Sequence, residues 1–180
     1  MSPSAVSAQP PHTNGKTSSS TKPTVPAPPP NNDSSSKIPA WPLRLPRQPA
    51  PGALFARITN PTPATVAYSS VQASRDLHIE LNSDLVYINH SCAPSLVFDM
   101  ARWEIRVSDK GEGLKEGDEL TFFYPSTEWD MAQPFDCLCK KKECVGRVAG
   151  ARDMDESVLG RYWLNAHVEE LLEERRKGMV

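Results

Sequence analysis

A mainly β domain of short strands, closed by a C-terminal helix, is the fold class this sequence predicts. Two observations carry it. Between residues 53 and 124, apolar and β-branched residues come in brief runs broken by Pro, Gly and Asp. That is the pattern of short, irregularly spaced strands in a folded β domain rather than a regular sandwich. From Met154 to Lys177 the apolar residues recur near helical spacing instead. A third observation bounds the domain: thirteen of the 18 prolines precede Gly52, among many Ser, Thr and Asn. Such a stretch buries too little apolar surface to offset its ordering entropy. Residues 1 to about 50 are therefore expected to form a disordered tail that folding does not need.

The elements follow in order. Ala53 to Ile58 is a first strand, broken at Asn60-Pro61-Thr62-Pro63. Val66 to Val71 is β-branched and aromatic enough for a second. His78 to Asn82 is a short extended piece. Asp84 to Ile88 is an apolar run ending at Asn89-His90. Ser95 to Phe98 and Arg102 to Val107 come next, the latter alternating as a half-buried strand does. Gly111-Glu112-Gly113 and Glu116-Gly117-Asp118 read as turns, and no helix follows the first to make it a phosphate loop. Glu119 to Tyr124 is a strand stopped by Pro125. In the C-terminal helix, Leu159, Tyr162, Trp163, His167, Leu171 and Leu172 recur near helical spacing, and Asp155-Glu156 suit its first turn.

Net charge is −2 over 180 residues. That balance gives no sign of a nucleic-acid or anionic-membrane partner. No apolar stretch is long enough to span a bilayer, and the N-terminus lacks a secretion signal pattern. The thiols are expected in a reducing compartment, cytoplasmic or nuclear, where clustered cysteines bind metal more often than they form disulfides.

All four cysteines fall in two places, Cys92 and the run Cys137-x-Cys139-x4-Cys144. Four converging thiolates make one tetrahedral site, and Zn²⁺ is the ion they suit. Cys92 lies beside Asn89-His90, a pair expected to be buriable, so a structural zinc there would clamp the C-terminal part over that pair. Lys140, Lys141 and Lys142 are expected to be a solvated loop.

Asn89-His90-Ser91-Cys92-Ala93-Pro94-Ser95, then Gly117-Asp118-Glu119-Leu120-Thr121-Phe122-Phe123-Tyr124, then the cysteine run ending at Gly146, occur in that order. Over roughly residues 79 to 151 this resembles the C-terminal half of a SET domain followed by a post-SET zinc knuckle. The family consists mainly of protein-lysine methyltransferases that use S-adenosylmethionine. The resemblance implies a knot-like core, with Asn89 and His90 contacting the cofactor and Tyr124 catalytic at the methyl-transfer channel. It implies Cys92, Cys137, Cys139 and Cys144 as the zinc ligands. It divides the chain into a tail, a SET-like domain over 51–136 with a shortened N-terminal half, a knuckle over 137–153 and a helix over 154–180. Where family members open with Gly-x-Gly, this chain keeps Gly52 alone. Phe123 stands where many carry an acid, and Ser95 replaces a frequent asparagine.

The chemistry is consistent residue by residue. Methyl transfer to an amine is an in-line displacement at a sulfonium, so positioning carries most of it. The amine must be neutral, and an aromatic channel disfavours its charged form. Phe122 and Tyr124 share one strand face and could line such a channel. Asn89 offers a donor and an acceptor to a zwitterionic cofactor end. The expected function is an S-adenosylmethionine-dependent methyltransferase acting on a lysine of a protein or peptide. Its rival is a non-catalytic, zinc-stapled binding or scaffold module.

Overall fold

The computed structural model describes residues 48–180. The expected tail lies outside the described residues as far as residue 47. Its last residues join the body: the Pro49 carbonyl accepts the Leu114 N–H at 3.1 Å. Gly113, at φ +90°, allows that approach, because a Cβ there would stand 2.5 Å from the same carbonyl oxygen.

The architecture is small sheets and one substantial helix. Strand β1 (Leu54–Arg57), β7 (Glu104–Val107) and β6 (Leu96–Asp99) form an antiparallel sheet in the order β1-β7-β6. A second antiparallel sheet has β4 (Leu77–Glu80) between β2 (Thr62–Ala64) and β3 (Val71–Ser74). The expected strand at Val66–Val71 is displaced: the chain turns between Ala67 and Ser70, and pairing starts at Val71. Pairing also runs through Thr62–Ala64, where prolines suggested only a break. It is tolerated because β2 is an edge strand, where a proline need not donate to the ladder.

At the centre, the apolar run over Asp84–Tyr87 folds as a 3₁₀ turn with no buried residue. The strand expected over Glu119–Tyr124 shrinks to β8 (Thr121–Phe122), because Pro125 pulls Tyr124–Ser126 into a 3₁₀ turn. Strand β5 (Asn89–His90) pairs with β8 in parallel, Asn89 opposite Thr121 and His90 opposite Phe122. A parallel pair needs a long crossover, and here the β6–β7 hairpin fills it. Hairpin strands β9 (Phe135–Asp136) and β10 (Arg147–Val148) enclose the cysteine run.

The expected single helix is broken into α1 (Glu156–Leu159) and α2 (Ala166–Arg176). Asp155 caps the first, its carboxylate accepting the Ser157 N–H at 2.7 Å. Asn165 stops the joining segment by fixing it to the sheets. Its Oδ1 accepts the Met100 N–H at 2.9 Å, and its Nδ2 donates to the Phe98 and Ser126 carbonyls, each at 2.9 Å. One apolar core gathers Ile79, Leu81, Leu96, Phe98, Ile105 and Phe122. A second packs Phe123 and Ala151 on Leu159, Val168 and Leu172. The aromatic pair Phe122-Phe123 therefore faces both cores, and Tyr124 follows it.

Candidate active site and thiol cluster

The hairpin that carries the cysteine run is tight. The Cys137 N–H donates to the Gly146 carbonyl at 2.6 Å, the Cys144 N–H to that of Lys141 at 3.1 Å, and Gly146 takes φ +77°. These turns aim three thiols at Cys92, which follows β5. The four sulfurs lie within 4.8 Å of one another, and Cys92 and Cys137 are 3.8 Å apart. A tetrahedron with metal–sulfur bonds of about 2.3 Å has edges of about 3.8 Å. The donor set and spacing thus fit a zinc ion. Burial pushes the Cys92 and Cys137 thiols up. Burial also opposes ionisation of Cys139, but backbone N–H groups of Lys141 and Cys92 and the neighbouring thiols draw it down to about 6. A divalent cation bound there would stabilise the thiolates and displace the remaining protons to solvent. The Val145 N–H already points at the Cys92 sulfur, at 3.4 Å.

His90 links this cluster to Tyr124. Its Nδ1 accepts the Tyr124 N–H at 3.2 Å, so in the neutral ring the proton is on Nε2, which lies 3.4 Å from the Cys92 sulfur. Burial pulls the ring's pKa down to about 4, which keeps it neutral. Both ring nitrogens are thus engaged inside the protein, and contacts to a ligand fall to its main chain or ring face. Asn89 is exposed, which corrects the expectation of a buriable pair. Strand β5 is two residues long, and alternation turns Asn89 outward as His90 turns in. The Tyr124 hydroxyl donates to the Ile88 carbonyl at 3.2 Å, and burial raises its pKa, so it keeps its proton.

Two hollows meet at Tyr124. An open cleft of about 620 Å³ is lined by Asn89, His90, Tyr124, Phe135, Cys137 and Lys140 among others. A narrower cavity of about 310 Å³ is lined by Ile88, Phe122, Tyr124, Glu128 and Phe135 among others. Tyr124 and Phe135 belong to both, with ring centroids 6.0 Å apart at 74°. The shared face expected of Phe122 and Tyr124 is observed as ring contact, at 4.7 Å between centroids. Phe122 also stacks on Phe98 at 4.0 Å, which ties this wall to the core.

The structure therefore brings together Asn89, His90, Tyr124 and the four cysteines. Three further residues were not read from the sequence as site residues. Phe135 completes the wall. Tyr162 stacks on Phe123 at 3.6 Å and donates to the Cys92 carbonyl at 2.9 Å. Glu128, 8% exposed, lines the narrow cavity. No local signal marks it, because its burial rests on Gln72, 56 residues earlier.

A methyltransferase named flvH, from Aspergillus flavus, is 61% identical to this chain over 122 residues, which are 67% of this chain and 68% of that protein. The histone-lysine N-methyltransferase ash1 of Drosophila melanogaster is 28% identical over 75 residues, 39% of this chain and 3% of that protein. No family model matches the chain, and no solved structure does.

Proposed function

The chain belongs to the family of the methyltransferase flvH, and on that premise we propose that it is a SET-type enzyme. It transfers a methyl group from S-adenosylmethionine to a lysine side chain of a protein or peptide. The observation that carries this reading is the wall of Tyr124 and Phe135 between two hollows of different character. One reactant on each side meets the other only at that wall. The open cleft, with the exposed Asn89 amide at its edge, suits the polar donor. Asn89 can both donate to a carboxylate and accept from an ammonium. The narrow cavity, with Phe122, Ile88 and Phe135, suits an aliphatic arm and favours its amine in neutral form.

This chain's residues would do three things. The Tyr124 hydroxyl, whose proton is held by Ile88, presents its lone pairs to the nitrogen or the transferring methyl. The His90 ring fixes the Tyr124 main chain relative to Cys92. The cysteines would hold a structural zinc that keeps the knuckle over the cleft, excluding water from the reacting atoms. The match to ash1, named a histone-lysine N-methyltransferase, supports a protein acceptor.

A binding module without catalysis is favoured by one feature. The single glycine retained at the domain's start, Gly52, lines a separate cavity of about 240 Å³ with Arg106 and Tyr162, away from the cleft. Calorimetric titration of the zinc-loaded full chain with S-adenosylmethionine and S-adenosylhomocysteine separates the two readings. The enzyme binds both, and Asn89→Ala weakens that binding by about tenfold, the loss of one hydrogen bond to a charged group. No heat at millimolar ligand leaves the module.

A further inference from the structure

Glu128 has a use that neither the thiol cluster nor Tyr124 accounts for. Its carboxylate is buried, and its two oxygens are treated differently. Oε1 accepts the Gln72 N–H at 2.8 Å and the Thr127 hydroxyl at 3.1 Å. Oε2 receives no hydrogen bond among the described residues; His78 Nδ1, at 4.0 Å, is its nearest cationic candidate. That histidine does not neutralise it. Burial, with His167 nearby, lowers the His78 pKa, so the ring is neutral in neutral water. No buried side-chain nitrogen or oxygen among the described residues lacks a hydrogen-bond partner, so Oε2, which has none, is still reached by solvent and is open to a ligand. Here Glu128 lines the narrow cavity with Tyr124. The two are one helical turn apart, the Glu128 N–H donating to the Tyr124 carbonyl at 3.0 Å, so their side chains leave the same turn.

We propose that Glu128 is the cation anchor of this cavity, its free oxygen receiving the ammonium group of an alkylamine acceptor as it enters beside Tyr124. The inference rests on the reading of the narrow cavity as the acceptor side, and it deepens that reading by naming a positively charged amine as the class admitted. Amines of the lysine type carry their proton in neutral water. A carboxylate in a low-dielectric hollow sorts them from neutral molecules of the same shape. Nearer the wall, among the rings of Phe122, Tyr124 and Phe135, the neutral form is favoured, the amine giving its proton to the Glu128 carboxylate or through it to solvent. Burial lifts the carboxyl's pKa to about 7, as it would where the counter-charge is brought by a ligand.

The test uses butylammonium chloride and neutral 1-pentanol as probes, titrated into the zinc-loaded full chain and its Glu128→Gln variant. The amide keeps an acceptor for Gln72 and Thr127 and removes the charge. Butylammonium should bind the wild type and bind the variant at least tenfold more weakly, while pentanol treats the two alike. Equal butylammonium affinity, or none in the wild type, overturns the proposal. Should the variant fail to fold, the wild type decides by NMR: butylammonium must shift the Gln72 amide resonance, and an unmoved resonance overturns the anchor. S-Adenosylhomocysteine is titrated separately. Its failure to bind strikes the methyl-transfer reading, whereas the anchor stands or falls on the ammonium probe.

Discussion

The two hollows that meet at Tyr124 are built by opposite means. The cleft owes much of its shape to the thiol cluster: its outer wall, Phe135 to Lys141, belongs to a hairpin whose cysteines converge on Cys92 outside it. The cavity owes its shape to packing, since Leu81, Ile88 and Phe122 line it and belong to the main core. One wall would loosen with the loss of a metal ion held by its thiols. The other can be changed only by changing the domain's interior. The difference separates what opens for a ligand from what selects it.

The sharpest way to break that contrast is to remove the metal. Chelation, or Cys92→Ser, releases the only ligand outside the hairpin and leaves thiols pushed together without a shared charge. We expect one zinc per chain by metal analysis and, on its loss, a destabilisation of about 5 kcal/mol, roughly 15–20 °C in Tm for a domain of this size. Hydrogen exchange should rise over 135–148 first, while amides of the β2-β4-β3 sheet stay protected. Uniform loss of protection would show that the sulfur-built and core-built regions are one unit.

The same contrast governs what could be read from the sequence. The cleft's residues were legible because metal ligands come with a spacing, and the Asn89-His90 pair lies three and two residues from one of them. The cavity's carboxylate was not. Glu128 carries no spacing signal, and its burial depends on Gln72, 56 residues earlier in the chain. Fold class survived for a similar reason: short apolar runs mark strands wherever they end up. Boundaries failed where a distant partner decided them. The C-terminal helix is interrupted between the Gly160 cap of α1 and the Asn165 cap of α2, and the Asn165 side chain fixes the break by bonding backbone at Phe98 and Ser126, partners distant in the chain. Tyr124 left its strand for a 3₁₀ turn because Pro125 follows, which was a local signal read only as a stop.

A second, smaller effect sharpens the cavity's side of the comparison. Glu128 holds its proton to about pH 7 in the folded chain, whereas its ordinary value is 4.5. Between those values the native state binds more protons than the unfolded one, so stability falls as pH rises. The contribution is full below about pH 4.5 and is lost through pH 7, a total on the order of 3 kcal/mol. Glu128→Gln should flatten that slope and melt above the wild type at pH 8. Urea unfolding of both proteins at pH 5 and 8 measures it. An unchanged slope would mean that the carboxylate is already ionised at pH 5 and that burial does not hold its proton.

The smallest change falls on the wall itself. Tyr124→Phe keeps the ring that touches Phe122 and Phe135 and removes the oxygen that donates to Ile88. The lost bond is a neutral one at 3.2 Å, so the stability cost is about 1 kcal/mol or less. Neither hollow loses a wall, so S-adenosylhomocysteine and butylammonium should bind as they do in the wild type. Transfer is different, because the two reactants need a fixed line through the sulfonium methyl, and the hydroxyl is the polar atom at the place where the hollows meet. Misalignment of this kind costs on the order of 10²-fold. We expect that fall in turnover of S-adenosylmethionine with an amine acceptor, or a change in how many methyl groups each amine receives. Product mass spectrometry reads both. Unaltered turnover with unaltered product would place the reaction away from Tyr124, and the wall between cleft and cavity would then be packing alone.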